Sequence, residues 1–189
     1  MTDSAPQSRN FYGRIRGKTL RASQKDYLAE DLGPLTLRGV TAAENSARSA
    51  LDLGFVKGPL WLEVGFGGGE HLVHMAARNP GVTIIGAEPF VNGIAMLLGK
   101  IRGAGVTNLW LHPGDVRDLF DVLPDACLSK VFLNYPDPWP KARHHRRRFV
   151  TPEYLEPLAR KMVLGSEFRV ATDIPDYVRQ RSEEHTSEL

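Results

Sequence analysis

Glu63, Glu88, Asp115 and Asp137 stand at or just past the ends of short apolar runs, and the first is followed at once by the glycine loop Gly65-Phe66-Gly67-Gly68-Gly69. A glycine backbone carries no Cβ and can come close to a ligand, so Gly65 and Gly67 are candidate contacts. The neighbouring acids limit what the loop can hold. A phosphate-cradling loop ends in Gly-Lys-Ser/Thr, whereas this one runs Gly69-Glu70-His71. A dinucleotide loop needs glycine where Glu70 stands, and Glu63 and Glu70 would repel its pyrophosphate. S-adenosylmethionine has no phosphate. Its ammonium and sulfonium are cations, which suits a carboxylate such as Glu63. Glu88 lies nineteen residues past Gly69, close to the ~20 at which an acid meets ribose hydroxyls. The competing reading is a structural turn with acids that cap helices or face water, strongest for Asp115.

Elements of a particular kind must position these acids. Leu60, Trp61, Leu62 and Val64 predict a strand buried on both faces, with a helix from His71 to Arg78 beyond the glycines, closed by Asn79-Pro80. Further strands are predicted over Val82–Ala87, Asn108–Leu111, Lys130–Leu133 and Phe168–Ala171, and a helix over Asn92–Arg102 ended by Gly103 and Gly105. In open parallel sheets ligands bind beyond the carboxyl ends of the strands, so Glu63, Glu88 and Asp115 would meet in one crevice. Thr41-Ala42-Ala43-Glu44 has the capping-box pattern and predicts a helix to about Leu53, stopped by Gly54, after a turn around Gly33-Pro34.

The fourth strand runs into Asn134-Tyr135-Pro136-Asp137-Pro138-Trp139-Pro140. Alternating prolines fix φ and forbid helix, so a loop built this way loses little entropy on holding a ligand. Asp137 is an acceptor for base N–H groups, with Tyr135 and Trp139 as stacking or wall surfaces. The alternative is a rigid turn whose tryptophan plugs the core. Next comes Lys141-Ala142-Arg143-His144-His145-Arg146-Arg147-Arg148, cations placed to meet backbone phosphates or simply to face water. The two histidines lack paired acids or cysteines at metal-ligand spacing, and no metal is expected.

A formal net charge of +2 conceals segregation: residues 1–25 carry six Lys/Arg against Asp3 alone, residues 141–148 add five with no acid, and the remaining body is acidic. Two basic appendages on an acidic body point to a polyanionic partner. One cysteine, Cys127, excludes an intrachain disulfide and a cysteine-rich zinc site. No apolar run approaches the ~18 residues needed to span a bilayer, so a cytoplasmic protein without membrane contact is expected. At 189 residues one folded domain is expected.

Leu62-Glu63-Val64-Gly65-Phe66-Gly67-Gly68-Gly69, Gly86-Ala87-Glu88-Pro89-Phe90, Asn134 to His144, Arg147-Arg148 and Ala171-Thr172-Asp173 together resemble the bacterial tRNA (guanine-N7)-methyltransferase family. The resemblance runs from the arm near Arg9 to about Arg179. It implies an α/β fold with the doubly wound, Rossmann-like sheet of class I methyltransferases, and methyl transfer from S-adenosylmethionine to N7 of a guanine in the variable loop of tRNA. By the same resemblance Glu63, Glu88, Asp115 and Asp137 contact the cofactor, beside the loop glycines Gly65 and Gly67, and Asp137 is catalytic. Lys141 and Asp173 bind substrate, while Arg143, Arg146, Arg147 and Arg148 touch RNA.

The expected organisation is a basic arm and linker over 1–40, a methyltransferase domain over 41–180 and an unrelated or disordered tail over 181–189. The sheet reads as truncated after its fifth strand, because two further strands and a Thr-x-Phe-Glu-type segment usual in the family are not visible. A monomer or weak homo-oligomer is expected. Two other readings stay open on the residues alone: a methyltransferase acting on an exocyclic amine, and an RNA-binding module with an idle cofactor site.

Overall fold

A computed structural model of the chain describes residues 12–178. The strands β1 (Leu60–Val64), β2 (Thr83–Ala87), β3 (Leu109–His112), β4 (Leu128–Asn134) and β5 (Met162–Ala171) form one parallel sheet. Its order is β3-β2-β1-β4-β5, so the winding reverses at β1 and leaves a crevice between the carboxyl ends of β1 and β4. The expected doubly wound α/β fold is present.

Side chains alternate across the strands and build a core on each face. Leu60, Leu62, Val64, Ile85, Ala87, Val131 and Leu133 pack beneath α5 (Val116–Val122) and α6 (Pro152–Lys161). Ile84, Leu109, Leu111 and Trp61 pack on the other face with α3 (Glu70–Arg78) and α4 (Val91–Ala104). Every predicted strand is found, β3 and β4 within two residues of expectation and β5 starting earlier, at Met162.

Two expectations are corrected and two helices are added. The 1–40 stretch is not only arm and linker: α1 (Ala22–Glu30) and α2 (Leu32–Leu35) lie within it, and Gly33-Pro34 sits inside α2. Tyr27 packs against α4 at Gly99, and Arg102 reaches back from α4 to Asp31 and Glu30 at 2.6 Å each, with its guanidinium 4.9 Å from the Tyr27 ring centre. Tertiary packing supports a helix whose sequence has weak periodicity.

No helix follows Thr41, although the Thr41–Glu44 side-chain bonds form. The Asn45 amide donates to the Gly39 and Ser49 carbonyls at 3.0 and 2.8 Å, and its oxygen accepts from Ser49 N at 3.0 Å. A short amide that satisfies the backbone this way competes with a helix ladder. Finally, α5 and α6 were not anticipated, although Asp115 caps the first and Pro152 opens the second. Residues 1–11 of the arm and the 181–189 tail lie outside the described residues.

Candidate active site

At the carboxyl ends of β1, β2, β3 and β4 lies a cavity of about 490 Å³, within the usual range for a small-molecule site. Val64, Ala87, Leu133 and Phe149 supply apolar wall, and Gly65, Gly67, Glu88, Asp115, Asn134 and Asp137 supply polar groups. Both glycines have φ in the left-handed region, and a Cβ built on either would meet no protein atom within 4 Å. They are bare on the side where a ligand would sit.

Glu88, 7% exposed just past β2, accepts from Gly67 N at 2.8 Å and from Phe90 N at 2.9 Å. One carboxylate therefore ties the glycine loop to the end of β2. Burial pushes the Glu88 carboxyl up, its two amide bonds pull it back, and the Asp137 charge pushes it up again. Two carboxylates that sense each other across a half-apolar cavity favour a cationic ligand between them.

Asp115 lines the cavity and caps α5, accepting from Arg117 N at 2.9 Å, while Arg117 Nε and Nη2 reach its oxygens at 3.0 and 2.6 Å. Arg117 also reaches Glu153 at 2.7 Å and lies over the Tyr154 ring. The helix-cap reading and the cavity reading both hold for this residue.

Glu63 is placed otherwise than expected. It is buried and is not among the residues lining the cavity, and its carboxylate is turned to His71 and Asn134. The four acids share one rim of the sheet, and three of them reach the cavity.

The Pro-rich loop forms the far wall. Tyr135 and Trp139 both precede prolines and both have positive φ, 50° and 38°. A non-glycine residue before proline is normally extended, so this backbone is strained and must be held from outside. Tyr135 N donates to Ala171 O at 2.8 Å, and Arg148 Nε donates to Pro138 O at 3.0 Å. Asp173 is exposed two residues beyond Ala171, on the same rim but outside the cavity lining.

The basic run folds as a 3-10 helix, Ala142–Arg147, whose three residues per turn sort it onto separate edges. Arg143 and Arg146 are exposed on one edge and Lys141 is exposed just before it. His144 and Arg147 both face Trp139, with Arg147 also 4.5 Å from the Tyr12 ring centre. His145 and Arg148 turn to Asp176, at 3.5 and 2.7 Å. Arg148, expected to touch RNA, is 1% exposed and instead props the Pro-rich loop. That expectation is corrected because a helix with a buried edge cannot present every cation to solvent.

Several residues at the site escaped sequence reasoning. Asn92 pins the arm, accepting from Gly17 N and donating to Lys18 O at 2.7 Å each, and Val91 N donates to Ile15 O at 2.9 Å. This carries Tyr12, Gly13 and Arg14 onto the cavity wall. Lys100 donates to Gly68 O at 2.8 Å. Gly93 sits where any side chain would overlap the Gly67 carbonyl oxygen. Gly93→Ala is expected to displace the glycine loop, at a cost of about 2 kcal/mol of stability, and to weaken S-adenosylmethionine binding. Denaturant melts and calorimetry check both effects.

Among the described residues, no cluster of His, Cys, Asp and Glu is placed to hold a metal ion, and no helix is long and apolar enough to cross a membrane. The family model described as "Putative methyltransferase" matches residues 57–189. The chain is 72% identical over 181 residues to the tRNA (guanine-N(7)-)-methyltransferase of Cereibacter sphaeroides, covering 95% of this chain and 75% of that one. It is 42% identical over 172 residues to the protein of the same name from Caulobacter vibrioides, covering 91% and 74%.

Among solved structures, the precorrin-6y C5,15-methyltransferase of Geobacter metallireducens superposes with a TM-score of 0.56 at 13% identity, covering 69% of this chain and 62% of that one. The 16S rRNA methyltransferase KamB gives 0.50 at 18%, covering 72% and 64%. These two share the fold. With most of the length of each curated relative matched, and with the glycine loop, the acid-lined cavity and the Pro-rich wall in place, the chain belongs to the tRNA (guanine-N7)-methyltransferase family.

Proposed function

We propose that this chain transfers the methyl group of S-adenosylmethionine to N7 of a guanine in the variable loop of tRNA. The observation that carries the chemistry is a cavity at the switch point with Glu88, Asp115 and Asp137 on its wall and two Cβ-free glycines beside them. When bound, the cofactor supplies a sulfonium-activated methyl group. In this reading Glu88 takes the ribose hydroxyls, and Gly65 and Gly67 allow close backbone approach. Asp115 lines the same cavity, as do Phe149 and Tyr154.

Guanine N7 is a bare acceptor with its lone pair in the ring plane. No proton has to leave before attack, so no general base with a tuned pKa is needed. Orientation does the work, and in-line placement is worth roughly 7–11 kcal/mol of barrier. Asp137 is the catalytic residue in this reading, an acceptor that holds the guanine N–H edge while N7 faces the methyl group. Tyr135, 71% exposed on the same loop, is the stacking surface. Lys141 and Asp173 bind substrate around this loop, and the chain acts in the cytoplasm, where its tRNA is, as a monomer or weak homo-oligomer.

The exposed edge of the 3-10 helix meets RNA phosphates. Arg143→Ala and Arg146→Ala are each expected to weaken tRNA binding regardless of sequence, and to lower the slope of log affinity against log salt by about 1. Filter binding across a salt series checks this, and an unchanged slope for both variants would count against the assignment. The reading as a whole is tested by incubating tRNA with the protein and S-adenosylmethionine and locating the new methyl by nucleoside mass spectrometry. N7-methylguanosine supports it. A methyl on an exocyclic amine, or none with S-adenosylmethionine bound, sinks it.

A further inference from the structure

Glu63 and His71 lie outside the cavity, yet both touch a residue that lines it. Glu63, 2% exposed on β1, places Oε2 2.8 Å from Nδ1 of His71 in the first turn of α3. The side-chain nitrogen of Asn134 lies 3.5 Å from Glu63 Oε1 and 3.2 Å from the same His71 nitrogen. His71 is held edge-on against Phe132 of β4, ring centres 4.9 Å apart. Asn134 closes β4, lines the cavity and leads into the loop of Asp137.

Polarity follows from the chemistry of these groups. With the single Nδ1 proton of His71 given to Glu63 at 2.8 Å, the approach of Asn134 to that nitrogen is not a hydrogen bond; a carboxylate only accepts, so the Asn134 atom facing Glu63 is the NH2 group, and the carbonyl Oδ1 is left for other partners. An amide oxygen at the cavity wall has the right sign for an ammonium or a sulfonium.

We propose that His71 is a positioning residue: by holding Glu63 it fixes the Asn134 amide with its carbonyl oxygen presented to the cationic end of S-adenosylmethionine. The inference rests on the methyltransferase reading above. It gives Glu63 a role in that reading through Asn134. A buried carboxylate needs partners. Burial already pushes the Glu63 carboxyl up, against the pull of His71 and Asn134. Deprived of His71, Glu63 takes up a proton or turns, and the Asn134 amide then loses the acceptor that sets its direction.

The test is calorimetry of S-adenosylmethionine on the full chain and on H71A, H71N, N134A and H71A/N134A, with melting curves for each. H71A is expected to weaken binding about tenfold, the loss of one hydrogen bond to a charged group. H71N, whose Nδ2 can stand where Nδ1–H stood, recovers most of that loss. The double variant binds no more weakly than N134A, and the KM for tRNA is unmoved in H71A. Unchanged binding in H71A, no recovery in H71N, or additive losses in the double variant overturn the inference.

If H71A does not fold, N134D reads the same contact from the other side. A second carboxylate set against Glu63 weakens binding at least as much as N134A, and wild-type affinity in N134D overturns the inference. Failure of the wild-type chain to bind S-adenosylmethionine is a different result, which removes the methyltransferase reading itself.

Discussion

Asp137→Ala is expected to cut methyl transfer to tRNA by roughly 10²–10³-fold, the range seen when one preorganised polar group is taken from a reacting centre. Affinity for tRNA should stay within about twofold, since phosphates dominate binding. The residue is exposed on a loop whose flanking prolines have already fixed φ, so in the proposed role its carboxylate would meet the substrate at little ordering cost. Its charge is felt by Glu88 across the cavity, so it also favours the cationic cofactor, and a loss of S-adenosylmethionine affinity of up to about tenfold is expected alongside.

Asp137→Asn separates the two contributions. It keeps an acceptor oxygen and removes the charge, so it should retain more turnover than the alanine variant while binding cofactor equally weakly. Single-turnover methylation with calorimetry decides the matter. An alanine variant within tenfold of wild type would take Asp137 out of the catalytic role.

Arg148→Ala is expected to lower stability by about 2–4 kcal/mol, the penalty for breaking a buried charged network, and to reduce turnover without changing the salt dependence of tRNA binding. Its guanidinium donates to Pro138 O and Asp176 Oδ2 at 3.0 and 2.7 Å and lies 5.3 Å from the Tyr177 ring centre. These contacts hold the loop in which Tyr135 and Trp139 carry positive φ. With the prop gone, strained pre-proline residues relax toward extended backbone and Asp137 moves off target.

Arg143→Ala, a few residues away, should do the opposite: full stability, weaker tRNA binding and a flatter salt slope. Urea melts and salt titrations of the two variants side by side distinguish these behaviours. An Arg148→Ala protein that melts like wild type and loses salt dependence would return Arg148 to the RNA surface.

Much of the fold was legible because the sheet is parallel and covered on both faces. Strands in that setting are continuous apolar runs, and Leu60–Val64 and Thr83–Ala87 stand out as such between glycines and prolines. What misled was local. The Thr41–Glu44 capping bonds form as their pattern predicts, but a cap satisfies a helix start and does not supply the apolar stripe that makes a helix pack. The converse holds for Ala22–Glu30, which has little stripe of its own and is helical against α4.

By itself the sequence determined the order of the five strands with the helices α3 and α4, the glycine loop, the acids at the strand ends and the cations behind the Pro-rich loop. All of these are properties of residue type and spacing. Only the tertiary structure decided which of those groups reach the cavity. Glu63 is turned away to His71 and Asn134, and Arg148 is buried beside Asp176 while Arg143 stays in water. Side-chain direction depends on the packing around each position, and a buried charge goes where partners wait for it, which spacing along the chain does not record.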